Sequence, residues 1–99
     1  MVSNMKYYSF SLDIKLTKKE KESLSFFLKN ANLAHYTIYK KIDGRIHKMI
    51  SIEYIIDIIP MIEYRLINSP RLKYFKNNCL HNALIRLKSF IKEKEKEVV

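Results

Sequence analysis

Hydrophobic and polar positions alternate strictly near the start of the chain. Tyr8, Phe10, Leu12, Ile14 and Leu16 interleave with Tyr7, Ser9, Ser11, Asp13 and Lys15. Successive strand side chains point to opposite faces, so this period of two predicts a strand over 7–16 with one face buried. Its backbone groups need a neighbour. The internal candidate is the stretch Arg45–Ile50, just after the sole glycine, Gly44. The external candidate is the same strand of a second subunit, which would make a homodimer.

From Thr17 the period changes. Thr17-Lys18-Lys19-Glu20 has the form of a capping box, in which threonine and glutamate satisfy each other's backbone amides. Leu24, Phe27, Leu28, Ala31, Ala34, His35, Ile38 and Ile42 then recur at helical spacing. They predict one long amphipathic helix to about Lys41, stopped by Asp43-Gly44. Asn30 and Asn32 could mark a break inside it. Ser51 is a second cap, ahead of the stripe Ile52, Ile55, Ile56 and Ile59. Pro60 lacks an amide, so a kink or restart is expected there before Ile62, Leu66 and Ile67 continue the stripe. Ser69 and Pro70 start a further helix with the stripe Leu72, Phe75, Cys79, Ala83, Leu87 and Phe90. The expected fold is α+β, mainly α: one N-terminal β-strand followed by three or four helices, in a single domain over 1–99.

Composition supports a core in so short a chain. Among 99 residues, 14 Ile, 10 Leu, 5 Phe and 7 Tyr supply enough apolar surface to argue against disorder. The most apolar run, Ile55 to Ile62, is broken by Asp57 and Pro60 and falls far short of the roughly 20 residues that span a bilayer. Neither a membrane span nor a signal peptide is expected. The single cysteine, Cys79, excludes an intramolecular disulfide and points to a reducing compartment.

Charge changes the picture most. Nineteen Lys and Arg against ten Asp and Glu give a net +9. Such an excess suits a polyanion, whether nucleic acid, an anionic surface or an acidic protein. The abundance of Lys, Ile, Asn and Tyr also fits simple compositional bias. The charge is segregated, however. Between Glu63 and Glu93 there is no acid, while Arg65, Arg71, Lys73, Lys76, Arg86, Lys88 and Lys92 all fall there. Lys40, Lys41, Arg45 and Lys48 surround a single acid, Asp43. The candidate nucleic-acid contacts are therefore Lys40, Lys41, Arg45, Lys48, Arg71, Lys73, Lys76, Lys88 and Lys92, with Asn77, Asn78, His81 and Tyr74 beside the last group. Tyr36, Tyr39, Tyr54, Tyr64 and Tyr74 are placed on helices, at the rim of the core.

No catalytic set is expected. His35, His47 and His81 are scattered, and Cys79 and His81 diverge on a helix, so no four-ligand metal site forms. Asp13 and Lys15 resemble half of a nuclease centre without its second carboxylate. Glu53 and Asp57 read as a solvated helix face. One glycine leaves no phosphate-cradling loop. No cofactor is implied.

From MVSNMKYYSFSLDIKLTKKEKE to the KEKEKEVV tail, the chain resembles the small proteins of archaeal filamentous and rod-shaped viruses. That resemblance implies a compact, thermostable viral accessory protein acting in the host cytoplasm. It also implies DNA binding or interference with a host defence protein. FSLDIKLTKKEKESL, KNANLAHYTIY and CLHNALIRLKSFIK are in turn similar to the N-terminal region of transposon-encoded RNA-guided nucleases. His35-Tyr36 stands where that family tends to have Tyr-Asn, and the nuclease domain has no counterpart here. The expected function is non-enzymatic binding of nucleic acid, DNA or RNA. The alternative is a protein-interaction module that binds or blocks a host factor.

Overall fold

The computed structural model describes residues 6–68 and 74–97, the side chains of 74–77 excepted. Its elements are β1 (Tyr7–Ser9), α1 (Lys18–Asn30), a short 3-10 turn (Ala34–Tyr36), β2 (Thr37–Ile42), β3 (Arg45–Ser51), α2 (Ile52–Asn68) and α3 (Tyr74–Glu97). The three strands form one antiparallel sheet in the order β1-β3-β2. The α+β, mainly helical class holds, but the sheet is larger than one strand and its pieces are distributed differently.

The first strand pairs internally. Tyr7, Tyr8 and Ser9 lie opposite Ser51, Ile50 and Met49 of β3. This pairing removes the reason to invoke a second subunit for β1. The expected strand over 7–16 ends after three residues because Ser9 folds the chain back. Its hydroxyl accepts the amides of Ser11 and Leu12, each at 3.1 Å, and its own amide donates to Asp13 Oδ2 at 2.7 Å. Such side-chain bonds compete with a sheet ladder. Lys15, at φ 63°, leaves the extended region altogether. Even so, Phe10, Ile14 and Leu16 reach the core, whereas Leu12 stays half exposed.

The capping box forms as expected: Glu20 N donates to Thr17 Oγ1 at 3.2 Å, and Thr17 N donates to Glu20 Oε1 at 3.0 Å. The helix does not reach Lys41. It ends at Asn30, and Asn32 takes a left-handed φ of 60°. Beyond the 3-10 turn the chain forms a hairpin. Asp43 and Gly44 have φ of 49° and 78°, and Ile42 lies opposite Arg45 across them. Two consecutive positive φ values make the two-residue turn whose twist matches that of paired strands. Asp43-Gly44 is therefore a hairpin turn and not a helix stop, and Tyr36 and Tyr39 do not lie on an α-helix. Tyr36 instead stacks on Tyr54 of α2, with ring centroids 3.9 Å apart.

Ser51 caps α2 through Tyr54 N. The helix runs from Ile52 to Asn68 without a break at Pro60. The cap assigned to Ser69 and Pro70 lies outside the described residues. α3 packs against both α1 and α2. Ala83, Leu84, Leu87 and Phe90 of α3 are buried against Leu24, Phe27 and Leu28 of α1 and Ile55, Ile58 and Ile62 of α2. Each fully buried Ile or Leu contributes roughly 1.5–3 kcal/mol. The sheet joins this core through Ile50 and through Tyr8, whose ring meets Phe90 edge-on at 4.9 Å.

Candidate nucleic-acid interface

Register decides which cations share a face. Tyr8, Ile50 and Thr37 form one cross-strand row, and Ile50 is completely buried under the helices. Side chains alternate, so the next row on that face is Lys48 and Tyr39, and the one after is Ile46 and Lys41. Towards the turn the face leaves the core: Tyr39 and Ile46 are 69% and 72% exposed. The opposite face carries Lys40 beside His47, and Arg45 beside Ile42. The hairpin thus presents two cations on each side of a protruding ribbon. Lys40, Lys41 and Arg45 are exposed, and Lys48 is half-buried.

On the core-facing side an open groove of about 710 Å³ separates α1 from the hairpin. Lys18, Lys21, Lys29 and Lys48 line it, against one carboxylate, Glu22. Lys18, Lys21 and Lys29 fall on one arc of α1 at about 100° per residue. Lys48 Nζ donates to Ser25 Oγ at 2.9 Å and sits 5.6 Å from the centre of the Tyr39 ring. Lys21 Nζ donates to Ser11 Oγ at 2.8 Å. Hydroxyls fix these two ammonium groups without neutralising them.

The contrast with α3 is sharp. Ion pairs among the described residues join Arg86 to Glu20 at 2.8 Å, Lys88 to Glu63 at 2.5 Å and Lys94 to Glu97 at 3.3 Å. All three cations belong to α3. Lys92 is exposed on the same helix. Lys76 lies on α3 with its side chain outside the described residues, and Arg71 and Lys73 lie outside them entirely. The structure therefore brings Lys40, Lys41, Arg45 and Lys48 together on one ribbon. Arg86 and Lys88 meet Glu20 of α1 and Glu63 of α2 respectively, the Lys88 pair lying exposed. Sequence reasoning missed Lys18, Lys21 and Lys29. Their helical spacing is legible, but the hairpin that faces them also fits a helical period, which hides the groove.

Other candidate chemistry resolves into structure. The Ser9 hydroxyl lies 3.4 Å from His47 Nδ1, with Asp13 nearby in sequence, but Ser9 is fully buried and its oxygen already accepts two amides. Asp13 holds the Ser9 amide and faces no histidine in that contact. Among the described residues, no group of three His, Cys, Asp or Glu could hold a metal ion. No helix among them is long and apolar enough to cross a membrane. Comparison of the chain with family models, curated proteins and solved structures returned no match.

Proposed function

We propose that this chain is a non-enzymatic nucleic-acid-binding protein that contacts phosphates through the β2–β3 hairpin, in a viral accessory role. One observation carries the reading. Among the described residues, none of the cations of the hairpin or of the facing α1 groove has a carboxylate partner, whereas Arg86, Lys88 and Lys94 of α3 do. Unpaired, clustered cations on a protruding ribbon attract a polyanion; paired ones add little field.

A protein-docking reading has its own observation. Ile56, Tyr64 and Ile67 on α2 are exposed at 53%, 70% and 76%, and Pro60 lies between them. This apolar stripe carries Glu53 and Asp57 at its start, so the basic surface does not surround it. It would seat a protein, a second copy of the chain included, independently of the hairpin.

The test is fluorescence anisotropy with labelled duplex DNA, single-stranded DNA and RNA at two salt concentrations. Combined Lys40→Ala, Lys41→Ala and Arg45→Ala should weaken binding and flatten the log–log salt slope by about 1 to 2, at about 0.7–0.9 per phosphate no longer neutralised, because Lys40 and Arg45 share one face of the ribbon and Lys41 the other. Lys88→Ala should leave the slope unchanged. An unaltered slope in the triple variant would remove the hairpin from the interface. No binding by the native protein at low salt would refute the function.

A further inference from the structure

We infer that the ligand is a single strand, and that it runs through the groove between α1 and the hairpin with an unpaired base stacked on Tyr39. This rests on the nucleic-acid reading above and names the form of ligand that the site accepts.

Three observations support it. Tyr39 is a large aromatic ring left 69% exposed, while Tyr8 and Tyr36 pack against Phe90 and Tyr54. Its position is nonetheless fixed. Lys48 lies over the ring, and Ser25 of α1 holds Lys48 in turn. A ring braced from one side and open otherwise costs little conformational entropy when a second flat group stacks on it.

The surroundings form an open groove with a largely apolar floor, Leu28, Ala34 and the Tyr39 ring among its lining, rimmed by Lys18, Lys21, Lys29 and Lys48. The groove volume of about 710 Å³ lies within the roughly 300–1,000 Å³ that encloses a drug-sized molecule. That volume is enough for a nucleotide or two. Lys18 and Lys29 stand eleven residues apart on α1, which is about 16 Å of helix. With Lys21 between them they make a backbone-tracking wall opposite the ring. A duplex keeps its base faces stacked inside and would leave Tyr39 without a partner. An aromatic platform beside a lysine track is the arrangement that reads single strands without sequence preference.

The experiment compares a homopolymeric single strand with a stable duplex of equal charge, using the full chain and its variants. The single strand should bind more tightly. Tyr39→Leu should weaken it about 5- to 150-fold, the loss of one stacked base, with duplex binding unchanged. Tyr39→Phe should restore the single-strand affinity. Circular dichroism of each variant confirms that it folds, as the exposure of Tyr39 leads one to expect. Equal affinity for both forms with no effect of Tyr39→Leu would overturn the groove inference while the hairpin variant still flattened the salt slope. Polyglutamate binding as tightly as the single strand would overturn it in favour of an acidic protein partner. Failure to bind any nucleic acid would overturn both readings.

Discussion

The Glu20–Arg86 pair gives an asymmetric stability prediction. Its two partners are unequally buried, with side chains 8% and 45% exposed respectively. Glu20 closes the α1 capping box and reaches Arg86 Nε on α3 at 2.8 Å. Arg86→Met keeps the stem that packs and removes the guanidinium. It strands a buried carboxylate whose remaining hydrogen bond is the Thr17 amide. An under-satisfied buried group costs about 1–3 kcal/mol, with charged groups at the upper end, so a loss of about 2 kcal/mol is expected. Glu20→Gln keeps the acceptor for Thr17 N and leaves Arg86, already half in water, to be solvated. The exposed side of the pair adds under about 1 kcal/mol, so this variant should lose about 1 kcal/mol. In the double variant the buried charge is gone, and the loss should stay near 1 kcal/mol. The cycle then gives a coupling of about 2 kcal/mol. Urea unfolding followed by circular dichroism reads it, and about 1 kcal/mol corresponds to some 4–8 °C in Tm at this size. A larger loss for Glu20→Gln than for Arg86→Met, or strictly additive losses, would refute the reasoning.

Gly44 sits at φ +78° with open space where a Cβ would go, so Gly44→Ala should cost about 1 kcal/mol from backbone strain alone. Nucleic-acid affinity would fall with hairpin order, and Gly44→Asn, which tolerates this region, should recover most of both. Ile62 is fully buried and Ile67 is 76% exposed on the same helix. Ile62→Ala should cost about 2–5 kcal/mol and Ile67→Ala under about 0.5 kcal/mol in urea unfolding. Pro60 denies α2 one internal hydrogen bond while lying exposed in a continuous helix. Pro60→Ala should therefore raise Tm, by about 1 kcal/mol or more in stability; a drop would show that the proline serves the native helix.

Local signals were legible where one residue's chemistry decides the geometry. Thr17 and Glu20 cap α1, Ser51 caps α2, and the expected stripes carry Ile55, Ile62, Ala83 and Leu87 into the core, although Ile56 and Ile67 of the α2 stripe face outward and Ile58, outside that stripe, is fully buried. The hairpin was obscured because Ile38 and Ile42 also fit a helical spacing continued from α1. β-branched residues flanking Asp-Gly, as in Thr37–Ile42 and Arg45–Ser51, were the competing signal. Over ten residues at the N-terminus, alternation reported burial correctly for Phe10, Ile14 and Leu16 but not conformation, because Ser9 turns the backbone while the apolar positions still face inward.

For the interface, sequence supplied the cations and their clustering but not their state. Charge counts treat Lys41 and Lys88 alike. Pairing across elements separates them: Lys88 meets Glu63, twenty-five residues away, and Arg86 meets Glu20 across two helices. The sequence by itself determined the net positive charge, the caps of α1 and α2 and part of each apolar face, because these are properties of single residues and their near neighbours. The sequence also pointed to Arg45–Ile50 as the internal partner of the first strand, but tertiary structure alone decided that β3 has β2 on its other side, that Tyr39 is left open beneath Lys48, and which lysines among the described residues remain without a counter-ion. Those outcomes depend on contacts between residues distant along the chain, whose geometry is fixed only when the sheet and helices pack together.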